Sequence, residues 1–106
     1  MIMGMNMNKM MKQVQKMQAD MARMEEELAG RTVEATAGGG LVKAVANGRQ
    51  ELTAIEIKPE AVDPDDVETL NDLVLAAVNS ALAEARKMVN QEVSRLTGGL
   101  NLPGLF

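Results

Sequence analysis

Residues 32–57 read TVEATAGGGLVKAVANGRQELTAIEI, and the alternation within this stretch decides the fold. Residues 32–37, 41–46 and 51–57 each step between apolar and polar or small side chains with a period of two, the mark of half-buried strands. Gly38-Gly39-Gly40 separates the first strand from the second, and Asn47-Gly48, a strong hairpin signal, separates the second from the third. Pro59 closes the third strand, in which Ile55 and Ile57 take one face and Glu56 the other. A three-stranded antiparallel meander is not stable alone and needs a cover on its apolar face.

The stretch that follows supplies that cover. Asp63 is placed to cap a helix, Pro64 suits its first position, and Asp65, Asp66 and Glu68 load its first turns with favourable negative charge. Val67, Leu70, Leu73, Val74, Ala77, Val78, Ala81, Leu82 and Ala85 form a stripe wide enough to lie on a sheet. The pattern continues through Met88, Val89, Val93 and Leu96 to Thr97, where Gly98-Gly99 stops it. Such a helix is roughly 50 Å long, against about 20 Å for a six-residue strand, so it must project beyond the sheet.

Upstream, Met7, Met10, Val14, Met17, Met21, Met24 and Leu28 are spaced alternately three and four apart. This is an a/d heptad seam, which predicts a helix from Met5 or Asn6 to Ala29, stopped by Gly30. A seam of this length reads first as a coiled-coil or dimer surface and second as a core stripe within one chain, which would look the same over three heptads. With Met7 at position a, Lys9, Lys12, Lys16 and Arg23 fall at c, f, c and c, facing away from the seam. Lys87 and Arg95 share a polar face of the last helix with Asn90, Gln91 and Ser94, and Arg86 flanks it.

At 106 residues the chain is a single small α+β domain, and its formal charge of −4 rules out a uniformly basic coat. The charge is segregated. Residues 1–24 carry four cations and one anion, whereas residues 59–73 carry six anions and no cation. There is no Cys, His, Trp or Tyr, and the one aromatic is Phe106. No thiol or imidazole chemistry is available, so Ser80 and Ser94 have no base to activate them, and no enzymatic site is expected. The acidic group at Asp63, Asp65 and Asp66 is explained by helix capping without a metal, and no cofactor is implied. Gly38–Gly40 leads into a strand rather than a helix, which favours a hairpin connection over a phosphate loop. No apolar run approaches a membrane span, and the Met-rich start lacks the core of a secretion signal, so a cytoplasmic location is expected.

A solvated helix exterior would carry a similar number of cations. Duplication in a dimer favours the nucleic-acid reading, because two arms would then offer eight charges to phosphates. Base stacking is excluded as a main mechanism by the lack of aromatics, which leaves phosphates and duplex shape. The alternative is a protein-interaction adaptor that grips a client helix in Met-lined grooves. Attachment to a lipid surface is disfavoured, since a membrane-lying helix wants Trp, Phe or Leu and none occurs before Leu28.

The order and spacing of these residues resemble the YbaB/EbfC family of bacterial nucleoid-associated proteins. The resemblance rests on Met10-Met11-Lys12-Gln13 with Gln15, Met17 and Gln18, on Gly39-Gly40-Leu41-Val42-Lys43, on Asn47-Gly48, and on Ile55-Glu56-Ile57 before Pro59. It continues in Leu73-Val74, Ala76-Ala77 and Asn79, and in the Gly98-Gly99 and Leu102-Pro103-Gly104 ending. It implies an α-β-β-β-α chain forming a symmetric homodimer with helices projecting like tweezers. It also implies double-stranded DNA as partner, bound with low sequence preference in the nucleoid, with no membrane, small-molecule substrate or catalysis. Residues 1–5 and 98–106 are expected to be flexible.

Overall fold

The computed structural model describes the backbone of residues 2–97 and the side chains of residues 7–96. Helix α1 (Ile2–Ala29) leads into strands β1 (Thr32–Ala37), β2 (Val42–Asn47) and β3 (Leu52–Ile57), a 3₁₀ turn (Pro59–Ala61), and helix α2 (Val67–Thr97). The sheet is antiparallel in the order β1-β2-β3. This is the α-β-β-β-α order expected. The molecule is a rod of 78 × 24 × 16 Å, because both helices outrun the sheet. The expected flexible ending falls outside the described residues. At the other end the backbone of residues 2–5 continues α1, so the helix starts earlier than Met5.

Three local details differ from expectation. The second and third strands begin one residue later than read, at Val42 and Leu52. Helix α2 begins at Val67 rather than near Pro64. Asp63 instead closes a turn, its carboxylate accepting from the Asp65 N–H at 2.9 Å, and Asp66 is the residue that caps the helix. The Asp66 carboxylate accepts from the Thr69 N–H at 3.3 Å and from the Thr69 hydroxyl at 2.6 Å.

The Asn47-Gly48 pair opens the β2–β3 hairpin, as its sequence signals. Asn47 and Glu51 close the loop, with the Gln50 N–H donating to the Asn47 carbonyl at 3.0 Å and Gln50 itself left-handed at φ 60°. The Asn47 side-chain oxygen accepts from the N–H groups of Arg49 and Glu51, which holds the loop shut. Gly48 is needed for proximity. Its N–H donates to the Leu28 carbonyl at 2.9 Å, and a Cβ there would stand 2.6 Å from the Leu28 Cβ. The loop is thereby fastened to the end of α1. By contrast Gly38, Gly39 and Gly40 all have positive φ, so the first connection does depend on glycine's conformational freedom.

The core has two parts. Val42, Ala44 and Ala46 of β2 meet Ala77, Ala81 and Ala85 of α2, all fully buried; these small side chains let the helix sit close to the sheet. Met24 and Leu28 of α1 meet Met88 of α2, with Met21, Val33, Val89 and Val93 around them. The cover is narrower than the sequence suggests. Helix α2 lies on β1 and β2, leaving β3 at the margin. Cross-strand pairing puts Ile57 and Ile55 beside Val42 and Ala44, and Leu52 beside Ala46. These three share the apolar face yet remain 41%, 44% and 40% exposed. On the other face Lys43 pairs with Glu56 at 2.7 Å and Glu34 at 3.7 Å, a charge ladder across all three strands. The hydrogen bond to Glu56, then the field of Glu34, raises the Lys43 pKa above its ordinary value.

Candidate nucleic-acid interface

The geometry of α1 divides the heptad seam in two. Met21 is half-buried, and Met24 and Leu28 are buried against α2, so these three of the seven seam residues are spent within the chain. Met7, Met10, Val14 and Met17 stand 52–62% exposed on the projecting part. Lys9, Lys12 and Lys16 are exposed on the same projecting part. Lys9 and Lys16 lie about 10 Å apart along the axis, a span their long stems extend further. Arg23 is also exposed, but it bonds Asp20 one turn earlier at 3.2 Å, so part of its charge is answered locally.

A second cationic group forms where α2 passes the α1–β1 junction. Arg31, Arg86, Lys87 and Arg95 line an open cleft of about 880 Å³ together with Asn90, Gln91 and Glu92. Lys87 and Arg95 are therefore brought together there. Lys9, Lys12 and Lys16 belong to the arm, and Arg23 lines an adjoining groove with Asp20 and Glu27 that shares Glu92 and Arg95 with the cleft. Within the cleft a single oxygen of Glu92, Oε1, accepts from Arg31 Nη1 and from Arg95 Nη1, each at 3.0 Å. The Arg31 bond, aided by the Arg95 charge, holds the Glu92 carboxyl below its ordinary value of 4.5.

Arg31 and Glu92 are the residues that sequence reasoning missed. The Arg31–Glu92 pair joins positions 61 residues apart, beyond the reach of any helical periodicity. A weak local signal existed, since Glu92 precedes Arg95 by three residues and so faces it on a helix.

In the acidic group of residues 63–66, the Asp63 and Asp66 carboxylates accept turn and cap hydrogen bonds. Among the described residues no helix is long and apolar enough to cross a membrane. An elongated α+β chain with a cationic helical arm and a cationic cleft at its root has the form of a polyanion-binding protein.

Comparison with known proteins agrees with that class. The profile of the YbaB/EbfC DNA-binding family matches residues 3–100, and the chain belongs to this family. It is 68% identical over 105 residues to a nucleoid-associated protein of Pelotomaculum thermopropionicum, covering 99% of this chain and 100% of that protein. It is 69% identical over 105 residues to a nucleoid-associated protein of Desulforamulus reducens, with the same coverage. The crystal structure of an uncharacterized Helicobacter pylori protein shares the fold, with a TM-score of 0.75 at 19% identity over 84% of this chain and 94% of that one. The family is defined by DNA binding rather than by a catalysed reaction.

Proposed function

We propose that this protein is a homodimeric, nucleoid-associated protein that binds duplex DNA with low sequence preference through the outer faces of its helical arms. The exposed row Lys9, Lys12 and Lys16 on the projecting part of α1 carries this reading. The family match and the naming of its relatives as nucleoid-associated support it. Lysines of this kind engage phosphates as point charges and read no bases, which fits binding by backbone and shape. Arg23, Lys87 and Arg95 add contacts nearer the sheet.

The uncovered shelf beside α2 supports the dimer in this reading. Leu52, Ile55 and Ile57 form it, and Val62, Val67 and Leu75 are exposed at 53%, 53% and 60%. A second copy applying the same surface would bury this apolar margin and cover the edge strand β3. The pair would carry two arms, doubling the cations presented to one duplex. A band-shift titration tests the reading. The wild type should shift duplex DNA at low salt and release it as salt rises. Lys12→Glu with Lys16→Glu should weaken the shift, and an unchanged shift contradicts the assignment.

A second reading rests on one specific observation: Met7, Met10, Met11 and Val14 line an apolar groove of about 330 Å³ on the arm. Such a groove suits an adaptor that holds a client helix in place of DNA. Partners that remain bound after nuclease treatment favour that reading over the first.

A further inference from the structure

We propose that Arg31, Glu92 and Arg95 form a preset phosphate clamp at the root of the arm, in which Glu92 is a positioning residue for two guanidinium groups that grip the backbone of duplex DNA. The inference rests on the DNA-binding reading above and adds to it a site that the arm lysines do not include.

Glu92 is 23% exposed, while Arg31 and Arg95 are 52% and 78% exposed. The carboxylate therefore sits behind the two guanidinium groups, nearer the protein than either. Its Oε1 takes one N–H from each arginine, and a guanidinium has five to give. Both cations keep most of their donors for an outside ligand. An arginine fork matches the geometry of phosphate oxygens, and a fork already held in place loses less freedom when it binds.

The backbone fixes the remaining geometry. Arg31 follows the Gly30 turn, where its N–H donates to the Leu28 carbonyl at 3.1 Å. Glu92 and Arg95 lie one turn apart on α2. The carboxylate thus gathers cations from two separate elements into one cleft, where Lys87 and Asn90 add further donors. The cleft is open and has no aromatic wall, which suits a tracking sugar–phosphate backbone better than a bound nucleotide.

The test separates positioning from simple charge. Full-length protein is titrated onto a labelled duplex by fluorescence anisotropy over a range of salt concentrations. The comparison covers the wild type, Glu92→Ala, Glu92→Gln, Arg31→Ala, and Arg31→Ala combined with Glu92→Ala. Glu92→Ala removes an anion yet should weaken binding about tenfold, and should flatten the plot of log K against log salt by about one unit per lost phosphate contact. Glu92→Gln keeps an acceptor oxygen and should bind at least as tightly as the wild type. In the Arg31→Ala background, Glu92→Ala should cost less than it does alone.

If alanine and glutamine both tighten binding to the same degree, Glu92 is only a repelling charge and the clamp is overturned while DNA binding stands. If the wild type shows no salt-dependent binding, the DNA reading fails and the clamp falls with it. Should Glu92→Ala not fold, Arg31→Ala carries the test: it must lower the slope by about one, and an unchanged slope overturns the proposal.

Discussion

Replacing Ile55 with Thr should loosen the proposed dimer without unfolding the subunit. Ile55 lies on β3 and is 44% exposed in the single chain, with Ile57 and Leu52 beside it at 41% and 40%. Fully burying such a side chain contributes about 1.5–3 kcal/mol, so covering its remaining two-fifths contributes roughly 0.6–1.3 kcal/mol. A symmetric interface uses the residue twice, giving roughly 1.3–2.6 kcal/mol per dimer, or about 10- to 80-fold in Kd. Threonine keeps the β-branched shape that an edge strand accepts, so the sheet should persist. Sedimentation equilibrium over a concentration series reads the change directly, with circular dichroism as the check on folding. The control is Met10→Ser with Met17→Ser on the arm, where the side chains are 61% and 52% exposed. That variant should leave self-association unchanged. If it separates the subunits while Ile55→Thr does not, the seam rather than the β3 shelf is the interface and this reasoning is refuted.

Two further outcomes are expected. Gly48→Ala would place a Cβ 2.6 Å from the Leu28 Cβ, so the β2–β3 loop and α1 must separate; a cost of about 1–3 kcal/mol should lower the thermal midpoint clearly, and an unaltered melting curve contradicts the close approach. The Glu92 carboxyl is held below 4.5, so its link to Arg31 is intact above that pH and is lost as pH falls through the depressed value; a carboxyl titration by NMR should find its midpoint below 4.5, and one at or above 4.5 contradicts the pairing.

The strands were readable because alternation and glycine placement are local properties, and β1 spans Thr32–Ala37 as the alternation indicates. The a/d spacing likewise placed Lys9, Lys12 and Lys16 on one helix, where residues 7–19 are exposed on every side, the seam included. What was not legible depends on distance in sequence. Asn47-Gly48 signals a hairpin, but the requirement for glycine at position 48 comes from Leu28 on another element. Asp63 and Asp66 are both good caps by type, and only the turn at Asp63 decides between them. The stripe on α2 showed an amphipathic helix without showing its width against the sheet, so the exposed margin at Ile55 and Ile57 stayed hidden. The cleft was hidden for the same reason, because the Arg31–Glu92 pair exists only after α1, β1 and α2 have assembled.

The central claim is that exposed cations on the arm and at its root hold duplex phosphates without reading bases. The most direct measurement is the equilibrium affinity of the wild-type protein for two unrelated duplexes of equal length, followed over a series of salt concentrations. Both should fall on one steep line, with a slope of about −0.9 for each phosphate engaged. A salt-independent affinity, or binding to one duplex and not the other, would contradict the claim.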